Sequence, residues 1–258
     1  MNRKYFFFDI DDTLIVRTGV DKPYVPDSAL EAVRQLEARG HFTAIATGRS
    51  HAMARHYMDL FGFKNMVHDG GSGITIDGKV LYIEPLNKDH VLALIRECEE
   101  KGFAWSLSPD DDVFRVAPSD RFDELTHDTY MPTRTVPGLD PASFPFINKA
   151  YVACTEEELP SIEMLKVLPW ARYNPEFVYV EPTDKKRGIY KVIEHFGGNL
   201  ADVVVFGDNK NDLSMFSKEW TSIAMGNAIP ALKEKADYVT SRADEDGIWN
   251  ACRHFGWI

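Results

Sequence analysis

The chain has 258 residues, 44% of them hydrophobic and 27% charged, and its 40 acidic against 29 basic side chains give a formal net charge of −11. That composition suits one large or two modest globular domains, and it argues against disorder, fibrous structure and a basic face for nucleic acid. No apolar run reaches the roughly 18 to 20 residues of a membrane span.

The opening Met1-Asn2-Arg3-Lys4 turns acidic at Asp9, too early for a secretory signal. Cys98, Cys154 and Cys252 are widely spaced and suit neither a disulfide framework nor a zinc site. The expectation is a cytoplasmic protein. An anionic substrate would need a local positive charge to overturn the global field.

Residues 5–10 read as a strand buried on both faces. Ser28 and Glu31 have the spacing of a capping box, Ala29, Val33 and Leu36 share a helix face, and Gly40 is placed to end that helix. Residues 42–47 form a second strand, and Ser50 opens a second helix with Ala54, Tyr57, Met58 and Phe61 on one side. This alternation predicts a parallel sheet with helical crossovers.

The rhythm then breaks. Asp77-Gly78 between two short apolar runs predicts a hairpin. A helix over 87–100 follows, then short strands, a strand at 150–154, a helix near 157–167 and paired strands at 171–173 and 177–180. After Pro182 the first rhythm returns, with a helix ending at Gly197, an apolar strand over 202–206, shorter units at 221–225, 231–236 and 238–240, and a last helix from about Asp244. The expected architecture is a Rossmann-like α/β core with helices on both faces, formed by residues 1–84 and 183–258. An α+β module over 85–182 is inserted into it.

Three apolar strands end in polar residues, the edge at which open α/β sheets bind ligands. They end in Asp9-Ile10-Asp11-Asp12-Thr13, in Thr47-Gly48-Arg49 and in Gly207-Asp208-Asn209-Lys210-Asn211-Asp212. A lone Asp-x-Asp at a strand end is ordinarily a loop stabiliser. Asp9 and Asp11 together with Asp208 and Asp212 would repel one another unless a cation sat among them. Oxygen ligands without His or Cys favour Mg²⁺ over zinc.

Asp9 to Leu14, Ala46 to Arg49 and Gly207 to Asp212 resemble the first, second and fourth motifs of the haloacid-dehalogenase-like phosphatase superfamily. Met225-Gly226-Asn227-Ala228, Lys233, residues 236–240 and Glu245-Asp246-Gly247 resemble the C-terminal signature of its Cof-type branch. The third motif is a lysine before a helix. The frame Asp184-Lys185-Lys186-Arg187-Gly188 selects Lys185, with Lys186 one residue away. Asp12 stands where many members have Gly, and Asp69 where many have Asn. Only 38 positions separate Asp9 from Thr47, but 138 separate Thr47 from Lys185. The second interval holds the inserted module, which the resemblance makes a C2-type cap.

The resemblance implies a phosphatase acting through an aspartyl phosphate on small phosphorylated metabolites, sugar phosphates above all. Asp9 would be the nucleophile and Asp11 the acid and base. Thr47, Lys185 and Asn211 would bind the phosphoryl oxygens. Asp9, the Asp11 carbonyl and Asp208 would hold Mg²⁺, with Asp212 on its water ligands. A monomer or small homo-oligomer is expected.

A phosphomutase would share the aspartyl phosphate. A phospho-accepting receiver module uses a similar residue set but is one small domain and carries its acceptor on a later strand. Trp105, Arg115, Arg121, Arg172 and Tyr173 of the inserted module could contact substrate, or equally be packed aromatics and salt-bridge partners.

Overall fold

The computed structural model describes residues 3–258. Met1 and Asn2, part of the segment read above for a secretory signal, lie outside the described residues. In chain order the first elements are β1 (Tyr5–Phe8), α1 (Asp27–Ala38), β2 (Phe42–Ala46), α2 (His51–Phe61), β3 (Met66–His68), β4 (Gly73–Ile76) and β5 (Lys79–Ile83). There follow α3 (Lys88–Lys101), β6 (Trp105–Ser108), β7 (Arg115–Ala117), α4 (Arg121–Thr126), β8 (Thr133–Thr135), β9 (Lys149–Ala153), β10 (Trp170–Asn174) and β11 (Phe177–Val180). The chain closes with α5 (Lys185–Phe196), β12 (Val203–Gly207), β13 (Thr221–Ala224), α6 (Pro230–Lys235), β14 (Tyr238–Val239) and α7 (Gly247–His254).

The chain divides into two compact units. The first comprises the residues up to Arg49, Ala54–Tyr82 and Asp184–Ile258, and the second Ser50–Met53 and Ile83–Thr183. In the first unit eight strands run in the order β14-β13-β12-β1-β2-β3-β4-β5. Pairing is parallel from β14 to β3, and β4 is antiparallel to β3. Successive residues of a strand face opposite sides, so a sheet covered on both faces needs apolar residues at every position.

β1 meets that need. Phe6 and Phe8 pack with Ala29 and Val33 of α1, Ala54 and Met58 of α2, and Ile248 and Ala251 of α7. Tyr5 and Phe7 pack on the other face with Ile189 and Val192 of α5 and Leu232 of α6. The expected α/β core with helices on both faces is therefore present. The Asp77-Gly78 turn has both residues at positive φ, 49° and 74°, as a tight hairpin turn of this composition requires.

The second unit is a six-stranded sheet, β10-β11-β9-β6-β7-β8, antiparallel except for β7 with β8. One face carries α3 through Val91, Leu94 and Ile95. The other carries Phe122 of α4 against Ala153 and Phe177.

Local expectations needed correction in three places. The capping box at Ser28 does not form. Pro26, with φ −63° and no N–H to satisfy, occupies the cap position, so Ser28 falls inside the first turn and Glu31 instead accepts from Arg34 and Gln35. The helix expected over 157–167 is two 3₁₀ turns, Leu159–Ser161 and Glu163–Lys166, because Pro160 interrupts the donor ladder. The last helix starts at Gly247 rather than Asp244, since Asp246 takes φ 60° and breaks the run.

Of the five residues raised as substrate contacts, Trp105 is packed among the α3-side core residues. Arg115 is 1% exposed, lies 4.5 Å from the Phe122 ring centroid and makes a 2.9 Å charge contact with buried Asp128. Arg172 donates to the carbonyls of Cys154, Thr155 and Pro175. Arg121 and Tyr173 are exposed.

Two outcomes follow from this architecture. Glu84, Pro85, Thr183 and Asp184, beside two of the four places where the chain passes between units, are all exposed. Limited proteolysis should therefore nick first near 83–85 and 183–184, as mass spectrometry of the early fragments would show. Arg115→Met strands the Asp128 carboxylate in the interior and should cost about 3–5 kcal/mol in urea unfolding, whereas exposed Arg121→Met should stay within about 0.5 kcal/mol.

Candidate active site

The strand ends singled out in the sequence belong to adjacent strands, β12, β1 and β2. Beyond β1, the Asp9 N–H donates to Phe206 O of β12 at 3.0 Å, which keeps Asp9 in line with the sheet as the chain leaves it. One carboxylate oxygen each from Asp9, Asp208 and Asp212 lies within 4.8 Å of the others, and all three residues are buried. Lys185, the first residue of α5, sends its ammonium between Asp9 Oδ1 and Asp212 Oδ1 at 2.6 Å each. Lys186 turns away to Ser217 and Glu219. Of the two lysines, the frame's choice is the one in the cluster.

Close backbone approach makes this possible. A Cβ on Gly207 would lie 2.7 Å from the Asp212 carboxyl, and one on Gly71 2.0 Å from Asp184 O, the residue that caps α5. Glycine at these two positions lets Asp212 fold back under β12 and lets the start of α5 seat on the 69–71 turn. Asp212 Oδ2 accepts the N–H groups of Asp208 and Asn209, so both its oxygens are engaged. Asp208 Oδ1 accepts from Thr13 Oγ1 at 3.3 Å.

Other expected residues lie differently. The Asp11 side chain turns from the cluster to a pair of guanidiniums. Arg49 Nε and Nη2 bond Oδ2 and Oδ1 at 3.0 and 2.8 Å, and Arg17 Nη1 bonds Oδ1 at 2.8 Å. Thr47 is buried, with its hydroxyl accepting the Arg49 N–H at 3.1 Å within its own loop. Asn211 is exposed and its amide makes no hydrogen bond with the carboxylates.

The electrostatics follow from burial and crowding. Desolvation first, then the Asp212 carboxylate, raises the Asp9 carboxyl to about 7 against the opposing pull of Lys185. Asp208 rises to about 9 through burial and then through Asp9 and Asp212. Burial would pull the Lys185 ammonium down, but Asp212 and Asp9 outweigh it and hold it above its usual value. Burial likewise opposes ionisation of Asp11, yet the Arg49 and Arg17 guanidiniums bring its carboxyl below the ordinary range. Once ionised, three buried carboxylates with one ammonium leave excess negative charge on hard oxygen donors. A divalent cation fits that set.

The family model for haloacid dehalogenase-like hydrolases matches residues 6–252. The chain belongs to this family. Over their full lengths, this hydrolase is 30% identical to a Bacillus subtilis protein named "Putative phosphatase YkrA". A hypothetical protein of Geobacillus kaustophilus is 32% identical, with complete coverage of both chains and a TM-score of 0.86. A sugar phosphatase of the family's subclass IIB is 30% identical over 99% of this chain and all of its own, with a TM-score of 0.80.

Sequence reasoning assigned no role to several residues of this haloacid dehalogenase-like site. Arg49 stood inside a quoted motif, which was the signal available, and its bidentate reach to Asp11 emerged only from the structure. His68 and Asp69 form a buried pair at 2.7 Å, with His68 Nε2 3.1 Å from Thr75 Oγ1. The N–H groups of Asp69 and Gly70 tie the Arg49 and Thr47 carbonyls, so this turn braces the Thr47–Arg49 loop. Asn227 donates to Asp12 O and accepts from Ala243 N, which joins the C-terminal signature to the first loop.

The raised carboxyls give a signed pH dependence for the metal-free hydrolase. Its folded state holds protons that the unfolded chain releases, so this stabilising contribution is full near pH 4 and is lost as pH rises through about 7 for Asp9 and about 9 for Asp208. In EDTA the melting temperature should therefore fall from pH 6 to pH 9, and Mg²⁺ should raise it more at pH 9, where fewer protons compete. An equal Mg²⁺ increment at both pH values would place the cation elsewhere.

Proposed function

We propose that this hydrolase is a Mg²⁺-dependent phosphatase that removes the phosphoryl group from monoesters of small metabolites, with sugar phosphates as the preferred class, through an aspartyl phosphate on Asp9. The observation that carries the reading is the buried Lys185 ammonium held 2.6 Å from both Asp9 and Asp212 at the C-terminal edge of a parallel sheet. A carboxylate nucleophile must be ionised, and Lys185 supports that form where burial opposes it. The full-length likeness to a sugar phosphatase supports the substrate class. A small metabolite, not a nucleic acid, suits an acidic chain, and three buried free thiols suit a reducing cytoplasm. No described helix is long and apolar enough to cross a membrane.

The Asp9 and Asp208 carboxylates and the Asp11 carbonyl are the groups that would hold Mg²⁺. Asp212, with both oxygens engaged, is left to its water ligands. Bound there, the ion supplies positive charge between Asp9 and the phosphate and stabilises the transferring oxygens.

In the first step an Asp9 oxygen attacks phosphorus, the bond from phosphorus to the ester oxygen breaks, and the departing oxygen takes a proton from Asp11. In the second, water attacks the acyl phosphate, Asp11 takes a proton from that water, and the bond to Asp9 breaks to release phosphate. Lys185, the Thr47 hydroxyl and the Asn211 amide are the groups assigned to the phosphoryl oxygens. Asn211, on the exposed side of the 210–212 turn, is free to engage them.

Purified protein with Mg²⁺ and a panel of phosphate esters tests the class, with free phosphate measured against isomerised sugar phosphate to separate a phosphatase from a mutase. Asp9→Asn should form no phosphoenzyme with any ester. Asp11→Asn should still be phosphorylated by an aryl phosphate, whose leaving group needs little protonation. It should then accumulate a hydroxylamine-labile acyl phosphate, because general-base help worth about 10²–10⁴-fold is missing. Phosphate trapped on another residue would overturn the reading.

A further inference from the structure

Arg17 lies outside every motif read from the sequence, yet the chain holds it with care. The three residues before it, Leu14, Ile15 and Val16, are buried. Val16 exchanges two backbone hydrogen bonds with Tyr24, at 2.8 and 3.1 Å. On its other side the Asp12 carboxylate accepts the N–H groups of Arg17 and Thr18 at 2.8 Å each, and the Thr18 hydroxyl as well.

Asp12 itself takes φ 57°, a left-handed conformation that residues with a Cβ seldom adopt. Its three side-chain hydrogen bonds, and the Asn227 amide on its carbonyl, hold it there. Arg17 then reaches back over six residues to Asp11 Oδ1. The Arg17 and Asp11 side chains are 41% and 36% exposed, and such surface pairs add little stability. The arrangement calls for a different explanation.

The distribution of donors on Asp11 supplies one. Each carboxylate oxygen offers two lone-pair sites. Oδ1 accepts from both Arg17 and Arg49, whereas Oδ2 accepts from Arg49 alone. Oδ1 is filled and Oδ2 keeps one acceptor position. We infer that Arg17, on the loop pinned by Asp12, is a positioning residue that occupies Asp11 Oδ1 and leaves Oδ2 as the oxygen that exchanges a proton with the ester leaving group. The inference rests on the reading of Asp11 as proton donor given above. Without Arg17 the carboxyl can rotate or carry its proton on either oxygen, and the leaving group meets a misplaced donor.

The test is the rate of enzyme phosphorylation in a single turnover, measured with an alkyl phosphate and with p-nitrophenyl phosphate on the same variants with Mg²⁺. Asp11→Asn sets the ceiling for loss of the donor. Arg17→Met should widen the alkyl-to-aryl rate gap by about tenfold, a part of the 10²–10⁴-fold that general acid catalysis supplies. Arg17→Lys should recover some of that gap. Asp12→Gly keeps the backbone conformation but frees the loop, and should shift the gap in the same direction.

If Asp11→Asn widens the gap and Arg17→Met lowers both rates equally, or neither, Arg17 does not position the donor and the role of Asp11 stands. An equal rise in KM for both esters makes Arg17 a substrate contact, which also overturns the inference. If Asp11→Asn leaves the gap unchanged, the proton-donor reading fails first.

Discussion

Everything in the first unit's site is arranged around one buried ammonium. Moving a charge from water into a protein interior costs several kcal/mol even after relaxation. Here Asp9, Asp208, Asp212 and Lys185 are all nearly inaccessible to solvent. Lys185 makes the group tenable by bonding two of the carboxylates at once. To put its Nζ there, α5 must begin within touching distance of the 69–71 turn, and Asp212 must fold beneath the end of β12. The first demand excludes a side chain at Gly71 and the second at Gly207. Beyond that one ammonium, the remaining charge of the ionised carboxylates must be met by protons or by a divalent cation, which binds such oxygen donors well.

A second layer fixes the loops rather than the charges. Beside the site, Asp12 with φ 57° and Asp69 with φ 50° adopt left-handed backbone. Each recovers the conformational cost through side-chain bonds, Asp12 to the Arg17 and Thr18 N–H groups and Asp69 to the His68 ring. Both were noticed in the sequence as departures from what many relatives have. The Asp12 conformation is one that glycine takes freely, and at Asp69 a histidine neighbour gives the carboxylate its partner. In both cases the substituted residue adds a brace that orders the loop beside the site.

Legibility differed between the two units for a physical reason. The first unit's sheet is covered on both faces, so its strands are apolar at every position and end abruptly in polar residues at the ligand edge. Residues 5–10, 42–47 and 202–206 were readable on that account. In the second unit short strands alternate with turns, and the pattern is weaker. Pro160 sits inside the expected helix over 157–167 and limits it to two 3₁₀ turns. Arg115 is an arginine on a short strand, where sequence alone suggests solvent or substrate. Its burial depends on Phe122, Asp128 and Thr133, all of which lie outside the strand's own pattern.

By itself the sequence determined the strand–helix alternation, the ligand edge, the acidic residues gathered there and the family they mark, because these depend on residues close together along the chain. Tertiary structure decided which lysine enters the cluster, since Lys185 and Lys186 differ by about 100° around a helix that only packing orients. It also decided that Asp11 is held by Arg49 and Arg17, that the Thr47 hydroxyl bonds within its own loop, and that Asn211 is exposed. Those facts concern side chains brought together by folding. Their distances and burial set the charge balance, and no local pattern encodes either.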